Sequence, residues 1–359
     1  MAAMSGGVDS AVAAFLLKEK GYECKGVTLK LFENEDIGIF GERNCGSDED
    51  INDAKKVCEK LGMEHEVLNL RDKFKKCVMD NFAEQYFCGL TPNPCIECNK
   101  HIKFTSILDA FQKDSFTHVA TGHYCSIVFD EGSGRYLIKK AIDCSKDQTY
   151  VLYGLSQETL SRTLFPLGGM TKTEVREIAE EHGFINARKK DSQDICFIKD
   201  GNYRNFLEYH SGKALTEGDF ILPNGTFVAK HKGVPCYTIG QRKGLGIAWE
   251  HPLYVISKDS ESNTVIVGKE ELLFTNRVIV EDVNFVAVSS LSSPMKATAK
   301  LRYHQSESEC VIHPLENGKV LLEFDKPQRA VTPGQAAVFY DGEYVLGGGT
   351  ITNAQRLRN

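Results

Sequence analysis

A glycine-rich segment near the start of the chain, SGGVDS at residues 5–10, has the composition of an anion-binding turn. Two adjacent glycines let the backbone approach a ligand closely, and the predicted following helix would turn its N–H groups toward an anion. Ser5 and Ser10 can add hydroxyl donors, and Asp9 can hold the Mg²⁺ that accompanies a nucleotide. The segment has no lysine, so it is not the GxxxxGK(S/T) loop of P-loop ATPases. A plain strand-to-helix turn capped by Asp9 is the alternative interpretation.

Three cysteines lie in settings that favour sulfur chemistry. Cys95 and Cys98 belong to the segment TPNPCIECNK, whose two prolines exclude a helix and stiffen the chain. We therefore expect a rigid loop that presents Cys98 just before a helix. There the helix N-terminus, Lys100 and Lys103 would lower the pKa of the thiol. Cys196 lies in KKDSQDICF, which is also polar and flanked by basic residues.

These cysteines also have simpler interpretations. Cys95-x-x-Cys98 could be half of a zinc site, although a Cys₄ site needs a second CxxC pair and the sequence has none. Cys196 could be a core residue beside its two apolar neighbours. We expect the other nine of the twelve cysteines to be structural. Among them are Cys24, Cys58 and Cys125.

The SGGVDS segment resembles the pyrophosphatase-type loop (PP-loop) of ATP-dependent adenylating enzymes, which attach AMP to a carbonyl oxygen and then displace it with a nucleophile. Six motifs occur in order: SGGVDS, TPNPCIECNKHIKF, ATGHYC, KDQTYVLYGL, KKDSQDICFI and YTIGQRKGLGI. Together they resemble the bacterial tRNA-specific 2-thiouridylases over nearly the whole chain. The resemblance implies ATP-dependent 2-thiolation of the wobble uridine, position 34 of tRNA. Two alternatives stay open: another PP-loop enzyme that inserts sulfur or nitrogen, and a non-catalytic RNA-binding paralogue.

The resemblance also implies different roles for two cysteines. Cys98 would be the nucleophile, and Cys196 would receive sulfur as a persulfide from a donor protein. ATP and Mg²⁺ would adenylate the C2 oxygen of the uridine, giving AMP, pyrophosphate and 2-thiouridine, and a transient Cys98–Cys196 disulfide would then need reduction. Part of the family has Asp where this chain has Cys95. With this third cysteine, Cys95, Cys98 and Cys196 could instead hold an iron–sulfur cluster of the 4Fe–4S type.

Ligand contacts are implied by the same resemblance. The implied ATP-binding residues are Ala3, Met4, Ser5, Gly6, Gly7, Val8, Asp9, Ser10, Leu29 and Gly122. The implied tRNA-binding residues are Asn93, Pro94, Cys95, His123, Lys146, Asp147, Gln148, Arg302, Tyr303 and Gln335. Basic side chains would bind phosphates, and the tyrosine can stack on a base. A further basic cluster could follow the tRNA backbone, and it consists of Lys230, Lys232, Arg242 and Lys243.

Alternating helix and strand patterns must position these residues. Helices are predicted at 10–20, 48–61, 74–87 and 102–111, and a capping box at 171–174 opens another. Strands are predicted at 25–32, 64–70 and 117–121. This order indicates an α/β fold with a parallel sheet, and the resemblance implies a Rossmann-like, adenine nucleotide alpha hydrolase-like domain over 1–204.

The pattern changes after about residue 201. Short alternating segments with hairpin signals at 223–225 and 259–263 predict a small mixed central domain over 205–274, which would contact tRNA. Continued alternation to the end of the chain predicts a C-terminal antiparallel β-barrel over 275–359.

Composition limits the function. The 359 residues are 42% hydrophobic and 26% charged, which excludes a mainly disordered chain. Apolar runs are too short to span a bilayer and the start lacks a secretory pattern, so we expect no membrane partner. The net charge of −6 means that tRNA must meet a local basic patch. Many cysteines without a secretory signal indicate a reducing compartment, the cytoplasm.

Overall fold

The computed structural model describes residues 1–39, 46–111, 116–189, 194–198, 201 and 203–355. The helices are α1 Val8–Glu19, α2 Gly46–Lys60, α3 Arg71–Phe74, α4 Asn81–Phe87, α5 Pro94–Cys98, α6 Phe104–Phe111, α7 Gln157–Ser161, α8 Lys172–Glu181 and α9 Tyr203–Ser211. Two connections are π-helical: Lys75–Asp80 joins α3 to α4, and Asn99–Lys103 joins α5 to α6. The helices predicted in the first half are therefore present, with shifted ends. Within the described ranges, no helix combines the length and apolar character needed to cross a membrane.

The strands follow the predicted change of pattern along the chain. They are β1 Ala2–Ala3, β2 Lys25–Lys30, β3 Glu64–Asn69, β4 Val119–Ala120, β5 Cys125–Asp130, β6 Arg135–Lys140, β7 Thr163–Leu164, β8 Gly218–Ile221, β9 Phe227–His231, β10 Tyr254–Asp259, β11 Thr264–Gly268, β12 Phe274–Phe285, β13 Met295–Lys300, β14 Ser308–Pro314, β15 Val320–Arg329, β16 Ala336–Asp341 and β17 Tyr344–Gln355.

The first sheet is parallel, as the sequence predicts, and its strand order is β3-β2-β1-β4-β7. β1 is only two residues long, yet it lies at the centre and pairs with both β2 and β4. From β1 the chain runs outward to β2 and β3, and then returns to the other side of β1 as β4. The order of the strands reverses between β1 and β4, and ligands of open α/β sheets bind beyond the carboxyl ends of the strands at such a point.

The central residues form a second, mixed sheet in the order β10-β11-β8-β9. β8 pairs with β9 and β10 pairs with β11, both antiparallel, so both predicted hairpins are confirmed. The parallel pairing of β11 with β8 joins the two hairpins. A separate apolar core that includes Phe220, Val255 and Val267 lies under this sheet.

The last six strands close a barrel. They pair in the order β12-β15-β14-β13-β16-β17, and β17 also pairs with β12. The hairpin β5–β6, which the sequence analysis did not predict, attaches to this barrel through the pairing of Tyr344 with Lys139. One apolar core includes Val27 and Phe104 of the first domain together with Val338 and Tyr340 of the barrel. The parallel sheet and the barrel are therefore packed together through a shared core.

The capping box that opens α8 gives a test of the local fold. The side chain of Thr171 accepts the backbone N–H of Glu174, and the Glu174 carboxylate accepts the backbone N–H of Thr171 (2.7 Å). Replacing an N-cap threonine with alanine costs about 1 kcal/mol, so we expect Thr171→Ala to lower the free energy of unfolding by that amount. Urea unfolding followed by circular dichroism measures the change.

Thr173→Ala is the matched control, because Thr173 is exposed in the first turn of the same helix and lies outside the capping box. Alanine is a better helix former than threonine, so this variant should be as stable as the unmodified chain or slightly more stable. Equal losses of stability in the two variants would contradict the role given to the capping box.

Candidate active site

The glycine segment forms a tight turn between β1 and α1. Gly6 has a φ of 73°, and a side chain there would collide with the backbone of Asp50 in α2. Ser10 Oγ accepts the N–H of Ser5 (3.2 Å) and donates to the carbonyl of Gly7 (2.9 Å). Gly7 is the N-cap residue, and no side chain caps α1. The turn therefore has the geometry of an anion site, with the N-terminus of a twelve-residue helix behind it.

Gly122 packs the end of β4 against the same turn. A Cβ atom on Gly122 would lie 2.7 Å from the carbonyl carbon of Asp9 and 2.8 Å from the nitrogen of Ser10. Both are backbone atoms, so only glycine fits here. The carboxyl ends of β1 and β4 are thus in direct contact at the point where the strand order reverses.

The other implied nucleotide contacts differ in what they can offer. Met4 and Val8 are buried, so their side chains belong to the core and only their backbones can face a nucleotide. Ala3 and Leu29 are partly buried, and Leu29 lies one residue before the end of β2. These positions surround the turn without supplying charge.

Asp9 is held by two residues that the sequence analysis missed. Lys172 Nζ donates to both carboxylate oxygens of Asp9 (2.7 and 2.8 Å), and the Tyr124 hydroxyl donates to one of them (2.7 Å). Both oxygens accept hydrogen bonds in the structure, and the role of Asp9 as a magnesium ligand stays a prediction. The prediction relied on the chemistry of Asp9 alone, whereas its cationic partner lies far along the chain at the start of α8.

The segment with Cys95 and Cys98 is helical, and the prediction that its prolines exclude a helix is wrong. Asn93 Oδ1 accepts the N–H of Cys95 (3.1 Å) and caps α5, and Pro94 occupies the first turn. Proline is favoured there because its missing N–H would have no partner within the helix. The sequence analysis placed Cys98 just before the start of a helix. In the structure Cys98 is the last residue of α5 and lies inside a continuous helical segment. The chain continues from it through the π-helical connection into α6.

Burial raises the pKa of all three candidate thiols. The pKa of Cys98 is raised to about 11 and that of Cys196 to about 12, and the pKa of Cys95 is raised as well. The expected lowering by a helix N-terminus is therefore wrong for Cys98. Lys103 opposes the effect of burial at each of the three sulfurs. Cys98 and Cys95 both raise the pKa of Cys196, so the three sulfurs lie within electrostatic range of one another.

All eleven described cysteines are free thiols. Cys45 and residues 190–193 of the KKDSQDICF segment lie outside the described residues. In the part of the chain that the structure describes, no three His, Cys, Asp or Glu side chains are arranged to hold a metal ion. The sulfurs that ligate a cluster bind different irons and lie farther apart than the ligands of one ion, so the iron–sulfur alternative at Cys95, Cys98 and Cys196 stays a prediction. The expected structural role is contradicted for Cys88 and Cys144, because both are exposed.

Lys103 also connects the thiols to the end of β4. Its Nζ lies 3.3 Å from Nε2 of His123, and Nδ1 of His123 lies 2.6 Å from the hydroxyl of Thr121. Burial, followed by the charge of Lys103, holds the pKa of His123 well below its usual range. His123 is therefore neutral and buried between the rings of Phe104 and Phe165. The tRNA contact implied for His123 stays a prediction.

Two residues implied as tRNA contacts bind protein groups in the structure. The Gln335 side chain donates to the carbonyl of Thr91 (2.7 Å), the first residue of the segment with the cysteines. Arg302 donates to the carbonyl of Ile239 in the central domain (3.3 Å) and to the hydroxyl of Thr332 in the barrel (2.8 Å). Both residues connect parts of the fold around the site, and their contact with tRNA stays a prediction.

A second set of implied tRNA contacts forms a partly buried turn near the site. The Asp147 carboxylate accepts the N–H of Ala141, and its carbonyl accepts the Tyr303 hydroxyl (3.3 Å). Gln148 accepts the N–H of Tyr124 (2.9 Å), which also contacts Asp9. Lys146, in the same turn, and Asn93 are partly buried, Pro94 is buried, and Cys95 is exposed. Tyr303 is close enough to Cys95 for the thiol to raise the pKa of the phenol, after the larger effect of burial.

The basic cluster predicted in the middle of the chain is exposed. Lys230, Lys232, Arg242 and Lys243 all have solvent-accessible side chains. Lys230 forms an ion pair with Asp219 (2.5 Å). A surface cluster of this kind suits contact with a phosphate backbone.

The fold and the glycine turn are those of a nucleotide-binding α/β protein with a parallel sheet and a C-terminal β-barrel. Three family models match consecutive parts of the chain: "tRNA methyl transferase HUP domain" over residues 1–200, "tRNA methyl transferase PRC-barrel domain" over 204–269, and "Aminomethyltransferase beta-barrel domain" over 275–351.

Curated relatives make the assignment specific. The chain is 48% identical to tRNA-specific 2-thiouridylase MnmA 1 of Thermoanaerobacter sp. (strain X514), over 98% of this chain and 97% of the relative. It is 47% identical to tRNA-specific 2-thiouridylase MnmA of Clostridioides difficile (strain 630), over 98% and 97%. A relative of the same name from Heliobacterium modesticaldum is 48% identical over 99% and 93%. The chain belongs to the family of tRNA-specific 2-thiouridylases.

The contact at Gly122 gives a test of the nucleotide site. Gly122→Ala should weaken ATP binding by about ten- to a hundredfold, because overpacking costs about 1–3 kcal/mol and the added methyl group displaces the glycine turn. Gly169→Ala is the control, since a Cβ atom there would meet nothing within 4 Å. Isothermal titration calorimetry measures both dissociation constants. Unchanged affinity in Gly122→Ala would show that ATP does not depend on this turn.

A second test concerns the charge beside the thiols. Lys103 lowers the pKa of Cys98 against burial, so Lys103→Met should slow alkylation of Cys98 by iodoacetamide at each pH below the pKa and shift the profile to higher pH. Lys100→Met is the control, because Lys100 is exposed between Cys98 and Lys103 and is not among the charges that act on the three thiols. Peptide mass spectrometry gives the alkylation rate of each cysteine. Identical Cys98 profiles for Lys103→Met and the unmodified chain would contradict this role.

Proposed function

We propose that this protein catalyses the ATP-dependent 2-thiolation of the wobble uridine, position 34, of tRNA, with AMP and pyrophosphate as the other products. One observation carries the proposal: contacts made by Lys103, which follows Cys98 in the chain, link the segment with the cysteines to the glycine turn. Lys103, which acts on both thiols, contacts His123, and the neighbouring Gly122 packs on the glycine turn. The proposed phosphate site and the proposed sulfur site are thus joined by a short series of contacts.

The first chemical step activates a poor electrophile. The C2 carbonyl of uridine resists attack, and adenylation of its oxygen converts that oxygen into a leaving group. The glycine turn would bind the phosphates of ATP, with its N–H groups and the N-terminus of α1 directed at the negative charge. Pyrophosphate leaves when the uridine oxygen bonds to the α-phosphorus. Mg²⁺ would accompany the nucleotide, and Asp9, which accepts hydrogen bonds from Lys172 and Tyr124, is the predicted protein ligand beside the turn.

The second step replaces oxygen by sulfur. Cys196 would accept a sulfur atom from a persulfide-carrying donor protein. The terminal persulfide sulfur attacks C2, and AMP leaves with the former uridine oxygen. The Cys98 thiolate then attacks the Cys196 sulfur, which forms a Cys98–Cys196 disulfide and releases 2-thiouridine. Alternatively, Cys98 first displaces the terminal sulfur as hydrosulfide, which then attacks C2.

Both routes leave the same disulfide in the enzyme. Two electrons from a cellular thiol reductant would restore the two thiols before the next turnover. This requirement fits a cytoplasmic, reducing environment. Lys103 would favour the thiolate at either cysteine, because a nearby positive charge offsets part of the cost of burying a negative one.

The tRNA substrate must present its target base outside the anticodon stack. A uridine that is turned out of the loop can enter a recessed site, and single-stranded loops are the usual targets of specific RNA recognition. We propose that the base reaches the thiols past Asn93, Cys95 and Tyr303. The exposed basic cluster of the central domain (Lys230, Lys232, Arg242 and Lys243) would bind the tRNA backbone.

Replacing either proposed catalytic cysteine tests the chemistry. Cys98→Ser and Cys196→Ser should each lower the rate of thiolation by about a thousandfold or more, because a hydroxyl can neither carry persulfide sulfur nor exchange with a disulfide. Binding of tRNA should change little, because the substitution alters one atom. The assay supplies ATP, a persulfide donor and unmodified tRNA, and nucleoside mass spectrometry detects the exchange of oxygen for sulfur.

Cys88→Ser is the matched control, because Cys88 is an exposed cysteine at the end of α4. Its thiolation rate should equal that of the unmodified chain. Normal turnover by Cys98→Ser would contradict the proposed mechanism. Sulfur or nitrogen at another tRNA position would indicate the alternative PP-loop activity, and tRNA binding without any modification would indicate a non-catalytic paralogue.

A further inference from the structure

The glycine turn presents an electrostatic problem. A site for a polyphosphate should be positive or neutral, yet Asp9 places a carboxylate in the first turn of α1, directly behind the proposed phosphate position. At a separation of several ångströms, like charges near a protein surface repel by about 2 kcal/mol or more per pair. An unpaired Asp9 would therefore oppose the binding that the turn provides.

Lys172 meets this carboxylate with close geometry. Its Nζ donates to both oxygens of Asp9, at 2.7 and 2.8 Å, and the side chain of Lys172 is largely buried. Tyr124 Oη donates to Asp9 Oδ1 at 2.7 Å, and the ammonium of Lys172 lies 5.8 Å from the centre of the Tyr124 ring. Three donated hydrogen bonds fix the carboxylate in one orientation.

The region after Lys172 also holds the turn at a second point. Asn186, which follows α8, is buried and donates from its side-chain amide to the carbonyl of Gly6 (3.1 Å). Hydrogen bonds from the start of α8 to Asp9, and from the segment after α8 to Gly6, therefore hold the glycine turn in place. The backbone N–H of Lys172 donates to Asp143 Oδ2 (3.0 Å), which fixes the start of α8 in turn.

We propose that Lys172 is the positioning residue that makes the glycine turn an anion site: its ammonium group neutralises and immobilises the Asp9 carboxylate, and Asp9 serves as an anchor for α8 instead of as the predicted magnesium ligand. Lys172 acts through Asp9 and does not itself bind a phosphate. This inference rests on the proposed function, because it takes ATP phosphates as the anion that the turn binds.

A double-mutant cycle on the full-length protein tests this assignment. ATP and inorganic pyrophosphate are titrated calorimetrically, with EDTA and separately with Mg²⁺. Lys172→Met leaves the Asp9 carboxylate with the Tyr124 hydrogen bond but without a cationic partner, and it should weaken binding of both ligands by about tenfold or more. Asp9→Asn/Lys172→Met removes both charges, and replacement of a whole buried pair is often tolerated where removal of one partner is not. The double variant should therefore bind within about threefold of the unmodified chain.

Two further variants complete the cycle. Asp9→Asn alone removes the negative charge but leaves Lys172 without a counter-charge, so any change in affinity should be the same with EDTA and with Mg²⁺. Lys60→Met is the matched control: it removes a lysine contact between α2 and the end of the α8 region, at the carbonyl of Gly183, and should leave binding unchanged. Thermal unfolding of each variant identifies a loss of affinity that is due to misfolding.

Several results would overturn the inference. If the double variant binds as weakly as Lys172→Met, then Lys172 contacts the phosphates directly. If Asp9→Asn loses affinity only with Mg²⁺, then Asp9 is a magnesium ligand. If the unmodified chain binds neither ATP nor pyrophosphate, the proposed function fails as well. If the unmodified chain binds ATP and pyrophosphate but the double variant does not regain the affinity lost in Lys172→Met, only this inference is rejected and the proposed function stands.

Discussion

The close contact between Gly122 and the backbone of Asp9 and Ser10 is the constraint on which the rest of the site depends. It brings the carboxyl ends of β1 and β4 together where the strand order reverses. The chain leaves β4 directly into His123, which is buried beside Lys103. A change that separated β4 from the glycine turn would also move Lys103 and the neighbouring thiols away from the proposed phosphate site. Coupled chemical steps depend on such proximity.

Helix α5, which carries Cys95 and Cys98, is positioned by contacts from the barrel and from the central domain. The barrel holds the residues just before it, because Thr91 donates to the carbonyl of Pro333 (3.0 Å) and accepts the side chain of Gln335. The central domain contributes Lys258, which donates to the carbonyls of Leu90 and Tyr237. Burial lowers the pKa of Lys258 to about 8, which indicates how far this ammonium is removed from water. The three parts of the fold therefore cooperate in placing one short helix.

The sequence was most informative where local rules act alone. The capping box at Thr171 and the turn signals in the two central hairpins depend on neighbouring residues, and both are confirmed. The adjacent glycines form a tight turn, with a positive φ at Gly6. Alternating apolar residues likewise predicted the barrel, since its strands have one buried face. The prediction that Pro94 excludes a helix was wrong because Asn93 caps α5 and Pro94 lies in the first turn, where its missing N–H breaks no hydrogen bond of the helix.

Long-range contacts could not be predicted from the sequence. The partner of Asp9 lies at Lys172, and no local pattern connects the two residues. The raised pKa values of Cys98 and Cys196 come from burial by surrounding protein, which spacing along the chain does not encode. The same holds for Arg302 and Gln335, whose hydrogen bonds cross between domains. Sequence motifs therefore predicted candidate site residues, whereas their ion pairs and pKa shifts could be found only from the tertiary structure.

We propose that the glycine turn and the thiols of Cys98 and Cys196 act on the same bond, the one between C2 of the uridine and its oxygen. The direct measurement uses tRNA labelled with oxygen-18 at C2 of uridine 34, followed by mass spectrometry of the AMP released in a single turnover. The account predicts that the label appears in the phosphate of AMP in proportion to the 2-thiouridine formed. Unlabelled AMP alongside 2-thiouridine would contradict it, because the oxygen would then have left by a route that does not pass through the nucleotide.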